Sequence, residues 1–482
     1  MVFFIFAIPL AIWVASQIGS TTGRQAFWTT WWVALLLCPF WICFQVGFFT
    51  LDLRFLAVSI AFLGLFAKRD PGSLGFGSLT LADVLEFVLV GAQIISEYKM
   101  GRFSPLTVPE LLRIWLVPYL VGRLFLRDTN DIARATTCFA PICRVACIYA
   151  MIEAVIKFNP INKVFGKVYG LLEAGEGYRM GMKRAQGAQE HPIFMGLILV
   201  LILPWAFEAS RMSRERLGPK WWRTLPLLVG GALFGTVSRG PQGSGLFTTY
   251  IAIFFRNPKK RIALILLAVL LGGLAYTAKE VIMDASAKIS KESEEEARTI
   301  VIDGEEEEYT GTRHRVLLFK AYAYYLEHAG LWGYGNAMRE VQLEEALAMR
   351  FGSIDSAYVM IFLQRGYAGV VPFVALSIVT LINLLRVALP ATKPHTAFAG
   401  AVFGAMFMLV LTLFTSWFSP DFGSAFLFTA GISARIHKLP TPEAYGKPTE
   451  PERCDTTQVL PRRRFSLVPG HPPQRNSVES PK

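Results

Sequence analysis

Four short stretches of this chain hold residue types that could grip an anion or move a proton. Lys183-Arg184-Ala185-Gln186-Gly187 is followed closely by His191-Pro192. Ser238-Arg239-Gly240-Pro241-Gln242-Gly243-Ser244-Gly245 reads as a tight turn, 239–243, between two apolar blocks. His314-Arg315 opens an amphipathic helical pattern that runs to Leu331-Trp332-Gly333-Tyr334-Gly335. Ile354-Asp355-Ser356-Ala357-Tyr358 begins the next apolar block. A guanidinium presents a planar fork to phosphate oxygens. Glycines beside it let backbone N–H groups approach an anion closely. No Gly-Lys-Ser/Thr follows the glycines at 240–245, so this is not a nucleotide loop. Arg184 fits either an interfacial anchor or an anion ligand. Asp355 fits either a helix cap or a general base.

The elements that must position these residues are membrane spans. Hydrophobic residues make up 53% of the 482 residues and charged residues 17%, against about 25% charged in soluble domains. The apolar residues fall into blocks suited to a hydrocarbon core of roughly 30 Å, which about 20 helical residues cross. The candidate spans are 2–18, 28–49, 53–67, 79–95, 109–126, 132–156, 192–207, 224–238, 244–255, 262–277, 355–386, 396–418 and 422–436. The expected fold is therefore all-α: a polytopic transmembrane helix bundle of about 12–13 spans with a partly helical extracytoplasmic loop domain. Its divisions are N-terminal spans over 1–277, a large outer loop over 278–354, C-terminal spans over 355–436 and a Pro-rich, disordered cytoplasmic tail over 437–482. The first block lacks a preceding basic residue and a following small-residue cleavage site, so it reads as a retained span.

Basic residues in short loops set the orientation. Arg211, Arg214, Arg216, Lys220 and Arg223 share one loop, and Arg256, Lys259, Lys260 and Arg261 the next. Both loops are assigned to the cytoplasm, which places 157–191, 239–243 and 278–354 outside. All four stretches of interest then share the outer side. His395, His437 and His471 fall inside, leaving His191, His314 and His328 for an outer site. The arginines flanking His314 disfavour its charged form and suit it to act as a neutral base. The net charge of +12 reflects cytoplasmic loops and anionic lipid more than nucleic acid. The six cysteines form no CxxC pair and read as packing residues. The acidic runs Glu294–Glu296 and Glu305–Glu308 read as solvated chain rather than a metal site, since hard cations need converging oxygens. Arg144 lies mid-span and calls for a partner inside the bundle, Glu86 or Asp83.

The order Arg184-x-x-Gly187, His191-Pro192, Thr236-Val237-Ser238-Arg239-Gly240, an outer loop with Arg315 and Leu331-Trp332-Gly333-Tyr334-Gly335, Asp355-Ser356-x-Tyr358 and Gly366-x-x-Gly369 resembles the O-antigen ligase and polymerase superfamily, which includes exopolysaccharide polymerases. The resemblance covers roughly 180–375. It implies a metal-independent membrane glycosyltransferase, without a cofactor, at the outer face of a bacterial inner membrane. The implied partners are a polyprenyl-pyrophosphate-linked glycan, a glycan or lipid acceptor, and membrane lipids. In that reading Arg184, Arg239 and Arg315 hold the pyrophosphate while Asp355 or His314 accepts the acceptor's proton. Ligase members often carry His-Asn where this chain has Asp355-Ser356, which leaves polymerase, or ligase to another acceptor, open. The competing readings are a polytopic transporter or flippase of lipid-linked glycans, and a non-catalytic membrane scaffold.

Overall fold

The computed structural model of the protein describes residues 2–47, 49–67, 77–169, 178–179, 181–277, 298–302, 305–309, 314–351, 353–390 and 395–439. About 75% of it is helical, with very little sheet. The expected tail and the run Glu294–Glu296 lie outside the described residues.

The chain begins with α1 (Val2–Ser20) and α2 (Gly23–Leu37), then a hairpin of β1 (Cys43–Val46) and β2 (Phe49–Asp52). Next come α3 (Leu53–Ala67) and α4 (Leu81–Lys99). α5 (Thr107–Leu111) leads through a π-helical turn at Leu112–Leu116 into α6 (Val117–Phe125). The π turn precedes Pro118, which has no N–H to continue an α-helical ladder. α7 (Thr129–Ile156) and the short α8 (Pro160–Phe165) are followed by the two-residue strands β3 (Tyr178–Arg179) and β4 (Met182–Lys183). α9 (Pro192–Arg214), α10 (Leu225–Gly235), α11 (Arg239–Arg256) and α12 (Arg261–Thr277) follow in close succession. The stretch 298–351 contributes β5 (Arg298–Ile302), β6 (Glu305–Tyr309), α13 (His314–Ala321), α14 (Ala323–His328) and α15 (Glu345–Phe351). The chain closes with α16 (Ala357–Ala388), α17 (Thr396–Thr412) and α18 (Pro420–Ile436). Among the described residues four helical segments, Val2–Ser20, Asn130–Ile156, Pro192–Arg214 and Ala357–Ala388, are long and apolar enough to cross a membrane.

Helix starts follow local chemistry. Thr80 and Asp83 form a reciprocal capping box on α4, and Asp128 and Asp131 do so on α7. Buried Asp131 also takes Arg24 and Arg134, each at 3.1 Å. The core is aromatic: Trp32 packs edge-on against Phe139 at 4.9 Å and Trp205 at 5.1 Å, and its indole N–H donates to the Ala135 carbonyl at 3.1 Å. α6 and α18 touch backbone to backbone. A Cβ on Gly431 would sit 2.1 Å from the Tyr119 carbonyl oxygen. Small residues at such crossings are how helices associate in hydrocarbon, where burial of apolar surface gives little drive.

α16 is broken at Gly366 (φ 59°, ψ −154°). The chain around Leu331-Trp332-Gly333-Tyr334-Gly335 fills the break. Tyr334 N donates to the Leu363 carbonyl at 2.7 Å and Gly335 N to the Gln364 carbonyl at 3.0 Å. Tyr367 N and Ala368 N donate in return to the carbonyls of Gly330 and Leu331. The tryptophan-glycine motif is thus a clamp that satisfies backbone groups freed by the kink.

Four expectations need correction. Helix 28–49 stops at Leu37, because Pro39 pushes Cys38 into an extended conformation (φ −93°, ψ 114°), and 43–52 becomes the β1–β2 hairpin. Residues 239–243 are the first turn of α11 rather than a free turn; the reversal is confined to the residues before it, with Val237 at φ 46°. Glu305–Glu308 lie in strand β6, since β5 pairs with them and buries Ile300 and Ile302 against Leu317 and Leu318. Arg144 does not face the interior. It is exposed on α7 and lies 4.9 Å over the Trp221 ring. Asp83 is engaged instead by Arg123 at 2.9 Å and Tyr119 at 2.7 Å.

Candidate functional site

The segment 184–191 is held in place from several directions. Ala185 N donates to the Gly235 carbonyl at 2.9 Å. The buried carboxylate of Glu153, near the end of α7, accepts from Gln186 N at 3.2 Å and Gly187 N at 2.8 Å. Asn159 donates to the Gly187 carbonyl at 2.9 Å. Arg54, at the start of α3, forms the hub behind it. Its guanidinium donates to Gln189 Oε1 at 2.5 Å, Asp421 Oδ1 at 2.6 Å and the Cys38 carbonyl at 2.9 Å. Asp421 closes the ring by accepting from Glu190 N at 2.9 Å. These groups are buried, and a buried charge pair of this kind fixes geometry more than it adds stability.

This framework delivers Arg184 to the start of α11. Arg184 Nη2 donates to Ser238 Oγ at 3.0 Å. Ser238 occupies the N-cap position but makes no side-chain cap; its hydroxyl donates to the Thr236 carbonyl at 3.1 Å. The first N–H groups of α11 therefore keep the lack of intrahelical acceptors common to every helix start. Arg239, the first residue of α11, is exposed beside them. Val237 is a buried β-branched residue with positive φ, a conformation that costs about 1–3 kcal/mol and tends to mark functional junctions. Burial, then the charge of Arg179, pushes the Arg184 guanidinium down to about 10, so it remains charged at neutral pH. Its Nε is buried without a hydrogen-bond partner among the described residues. A partly desolvated, under-coordinated cation at a helix N-terminus has the character that suits an anion.

His191 and Glu190 sit next to it. His191 Nδ1 accepts from Ile193 N at 3.1 Å, capping α9. Burial, reinforced by Arg184, pushes this imidazole down to about 4, so the neutral ring carries its proton on Nε2. Burial, with the nearby Asp421 charge, pushes the Glu190 carboxyl up to about 7. Its Oε2 is buried and without a partner among the described residues. Glu190 is a proton-transfer candidate that reading the motif as Arg, Gly, His and Pro passes over. Its folded state holds the proton more tightly than the unfolded chain. The associated stability is complete below about 4.5 and is lost as pH rises through about 7. Glu190→Gln is expected to match the wild-type thermal midpoint near pH 5 and exceed it at pH 8. An unchanged difference between the two proteins across that window would remove Glu190 from the pH response.

The second grouping is His314 with Asp355. His314 Nε2 lies 3.8 Å from Asp355 Oδ2, an ion-pair distance rather than a hydrogen bond. The imidazole stacks on Phe351 at 5.1 Å and 17°. Its pKa is lowered chiefly by burial; Asp355 opposes the shift and Arg315 adds to it. Ser356, not Asp355, caps α16, and Asp355 accepts from the Ser353 hydroxyl at 3.1 Å. Arg315 remains on the exposed face of α13, outside both groupings. The two groupings share one end of the helix assembly. Phe194 packs against both His191 (5.6 Å) and Trp417 (5.4 Å), and the carbonyls of Leu413 and Ser416 accept from Ala357 N.

Beside Arg54 at this end lies a pocket of about 450 Å³, open mouth included, between α2, α3, the π turn and α18. Trp31, Phe40, Phe55 and Val58 make its walls, and Arg54, Asp52 and Arg113 its polar edge. Asp52 and Arg113 are paired with each other. Among the described residues no group of three or more His, Cys, Asp or Glu could hold a metal ion. In comparisons with known proteins, no family model matches the chain and no curated protein matches it.

Proposed function

We propose that the protein is a polytopic inner-membrane glycosyltransferase that transfers or polymerises glycan from a polyprenyl-pyrophosphate donor onto an acceptor hydroxyl at the outer face. The observation that carries this reading is Arg184, half-buried, charged and incompletely bonded at its buried Nε, held against the start of α11 next to Arg239. In this topology the end bearing Arg184, His191 and Asp355 faces outward. The opposite end, with Arg211, Arg214, Arg223, Arg256 and Lys259, faces the cytoplasm, in keeping with the inside preference of basic residues.

The reaction breaks the bond between sugar C1 and the pyrophosphate oxygen as an acceptor oxygen bonds to C1. The polyprenyl pyrophosphate departs with the electron pair of the broken bond. Arg184, Arg239 and the first N–H groups of α11 stabilise the charge growing on it, at fixed positions that need no rearrangement during the step. The acceptor's proton passes to a carboxylate or imidazole at the same end: Asp355, His314 or the ionised fraction of Glu190. Arg315 is exposed on α13 next to His314, where it would meet the donor from the solvent side.

The transporter reading draws on one feature, the broken α16 with Arg365 buried beside the break. The test is consumption of a lipid-linked oligosaccharide by purified protein in detergent, with chelator present and released polyprenyl pyrophosphate measured. Turnover in a single compartment is the expected result and is outside a transporter's reach. Absence of turnover with vectorial movement in proteoliposomes would replace the enzyme by the transporter.

A further inference from the structure

At the end of the helices opposite the candidate site, four arginines line one pocket of about 900 Å³, open mouth included. Arg211 and Arg214 come from the last turn of α9, Arg223 from the turn before α10, and Arg256 from the end of α11. Residues from four segments of chain converge there. Arg211 is neutralised: it holds Glu208 at 2.9 and 2.5 Å and also pairs with Glu215. Arg214 donates to Ser210 Oγ at 3.2 Å, and Arg223 donates to the Ser213 carbonyl at 3.5 Å. Among the described residues no carboxylate forms a salt bridge with Arg214, Arg223 or Arg256. Burial and then the charges of Arg214 and Arg211 lower the Arg256 pKa, with Glu208 and Glu215 opposing the shift. The C-terminal dipoles of α9 and α11 offset part of this excess but are no substitute for a counter-anion.

The inner wall has the opposite character. Pro204, Phe207, Ile253 and Phe398 line it, and Leu227 stands exposed on α10 beside Pro226 of the lining. A soluble anion has no use for such a wall, whereas a lipid needs an apolar path for its chains leading to a basic seat for its head. With Glu208 and Glu215 set against the four arginines, the pocket keeps a net charge of +2, which balances two singly charged phosphates better than one.

We infer that this pocket binds the headgroup of an anionic bilayer lipid carrying two phosphates, in the cytoplasmic leaflet. The site is separate from the one assigned to the donor. It rests on the membrane topology proposed above and not on glycosyl transfer. Such a lipid would tie the ends of α9, α10 and α11 together and so brace the helices whose other ends carry Arg184 and Arg239.

The test uses the full chain in nanodiscs of phosphatidylethanolamine, with diphosphatidylglycerol, phosphatidylglycerol or inorganic phosphate added, and native mass spectrometry after release to count retained lipid. Wild type is expected to retain diphosphatidylglycerol in preference to phosphatidylglycerol, with inorganic phosphate failing to displace it. Arg214→Gln combined with Arg256→Gln should weaken retention by roughly tenfold or more, as expected for losing hydrogen bonds to a charged group. Arg223→Gln, on an exposed turn, gives the same direction should the double variant fold poorly. Lys259→Gln with Lys260→Gln, basic but outside the pocket, should change retention by less than about twofold. Equal retention in the pocket and control variants would overturn the proposal, as would displacement by inorganic phosphate, which would make the seat one for soluble anions. Failure of the protein to enter the nanodisc at all would instead overturn the membrane topology.

Discussion

Arg184→Ala and Arg239→Ala are each expected to cut donor turnover by roughly 30- to 1,000-fold while leaving the protein folded and inserted. That range corresponds to about 2–4 kcal/mol of barrier stabilisation, the cost of removing one preorganised donor from an anion site. Arg184 makes one side-chain hydrogen bond, to Ser238, so its loss removes little from the fold. Arg239 is exposed in the first turn of α11. Arg239→Lys should also lose most activity, because a point charge does not reproduce the planar fork. Arg179 is not a neutral control, since its charge already depresses the Arg184 pKa; Lys163, exposed on α8, serves better. Turnover would be measured at matched protein concentration. Near-wild-type rates in both alanine variants would reduce the two arginines to interfacial anchors.

Gly366→Ala is expected to be the most damaging single substitution to the fold, with Gly333→Ala close behind. Gly366 has φ 59° and ψ −154°, a region only glycine occupies readily. A Cβ there would lie 2.4 Å from the Gly330 carbonyl oxygen; one on Gly333 would lie 2.5 Å from that of Leu363. Both obstacles are backbone, so no side-chain rotation relieves them. Yielding would break the hydrogen bonds that join the clamp to α16 and expose its carbonyls in a dry setting. The expected outcome is loss of monodisperse protein on size exclusion, or a thermal midpoint lowered by many degrees. Gly230→Ala, on α10 with no atom within 4 Å of its Cβ position, should leave the midpoint unchanged or slightly raised. Equal behaviour of all three variants would show that the clamp contributes nothing.

The extent to which the sequence disclosed this protein follows the range of the forces involved. Helix positions were legible because apolar blocks and local caps such as Thr80–Asp83 are written within a few residues. The two motifs pair Arg184 with Arg239 in sequence terms, but the bond from Arg184 to Ser238 is fixed by contacts absent from either. Glu153 holds the backbone at Gln186 and Gly187 from α7, and Arg54 bonds both Gln189, 135 positions on, and Asp421, 367 positions on. No periodicity announces such partners. Arg144 misled because mid-span depth suggests a buried charge, whereas an exposed arginine can lie against Trp221. Arg365 is hidden from a sequence reading for the converse reason. It follows an apolar run without a visible partner, yet it is buried, donates to Gln93 of α4 and lies 4.0 Å over the Trp115 ring. Glu190 drew no notice because its perturbation comes from burial and from Asp421, neither visible in the local motif. The glycines of the 330–335 segment were noticed as a motif, but their task, repairing a kink in another helix, emerges only when both segments are seen together.

The central claim is that a lipid pyrophosphate sits between Arg184 and the start of α11. An electron cryo-microscopy map of the protein with a non-transferable polyprenyl-pyrophosphate glycan tests it most directly. The expected result is pyrophosphate density within hydrogen-bond distance of the guanidinium groups of Arg184 and Arg239 and of the first N–H groups of α11, with the prenyl chain leaving between helices. Density seated instead at Arg54 and Arg113, or at the arginines of the opposite end with none at Arg184, would contradict it.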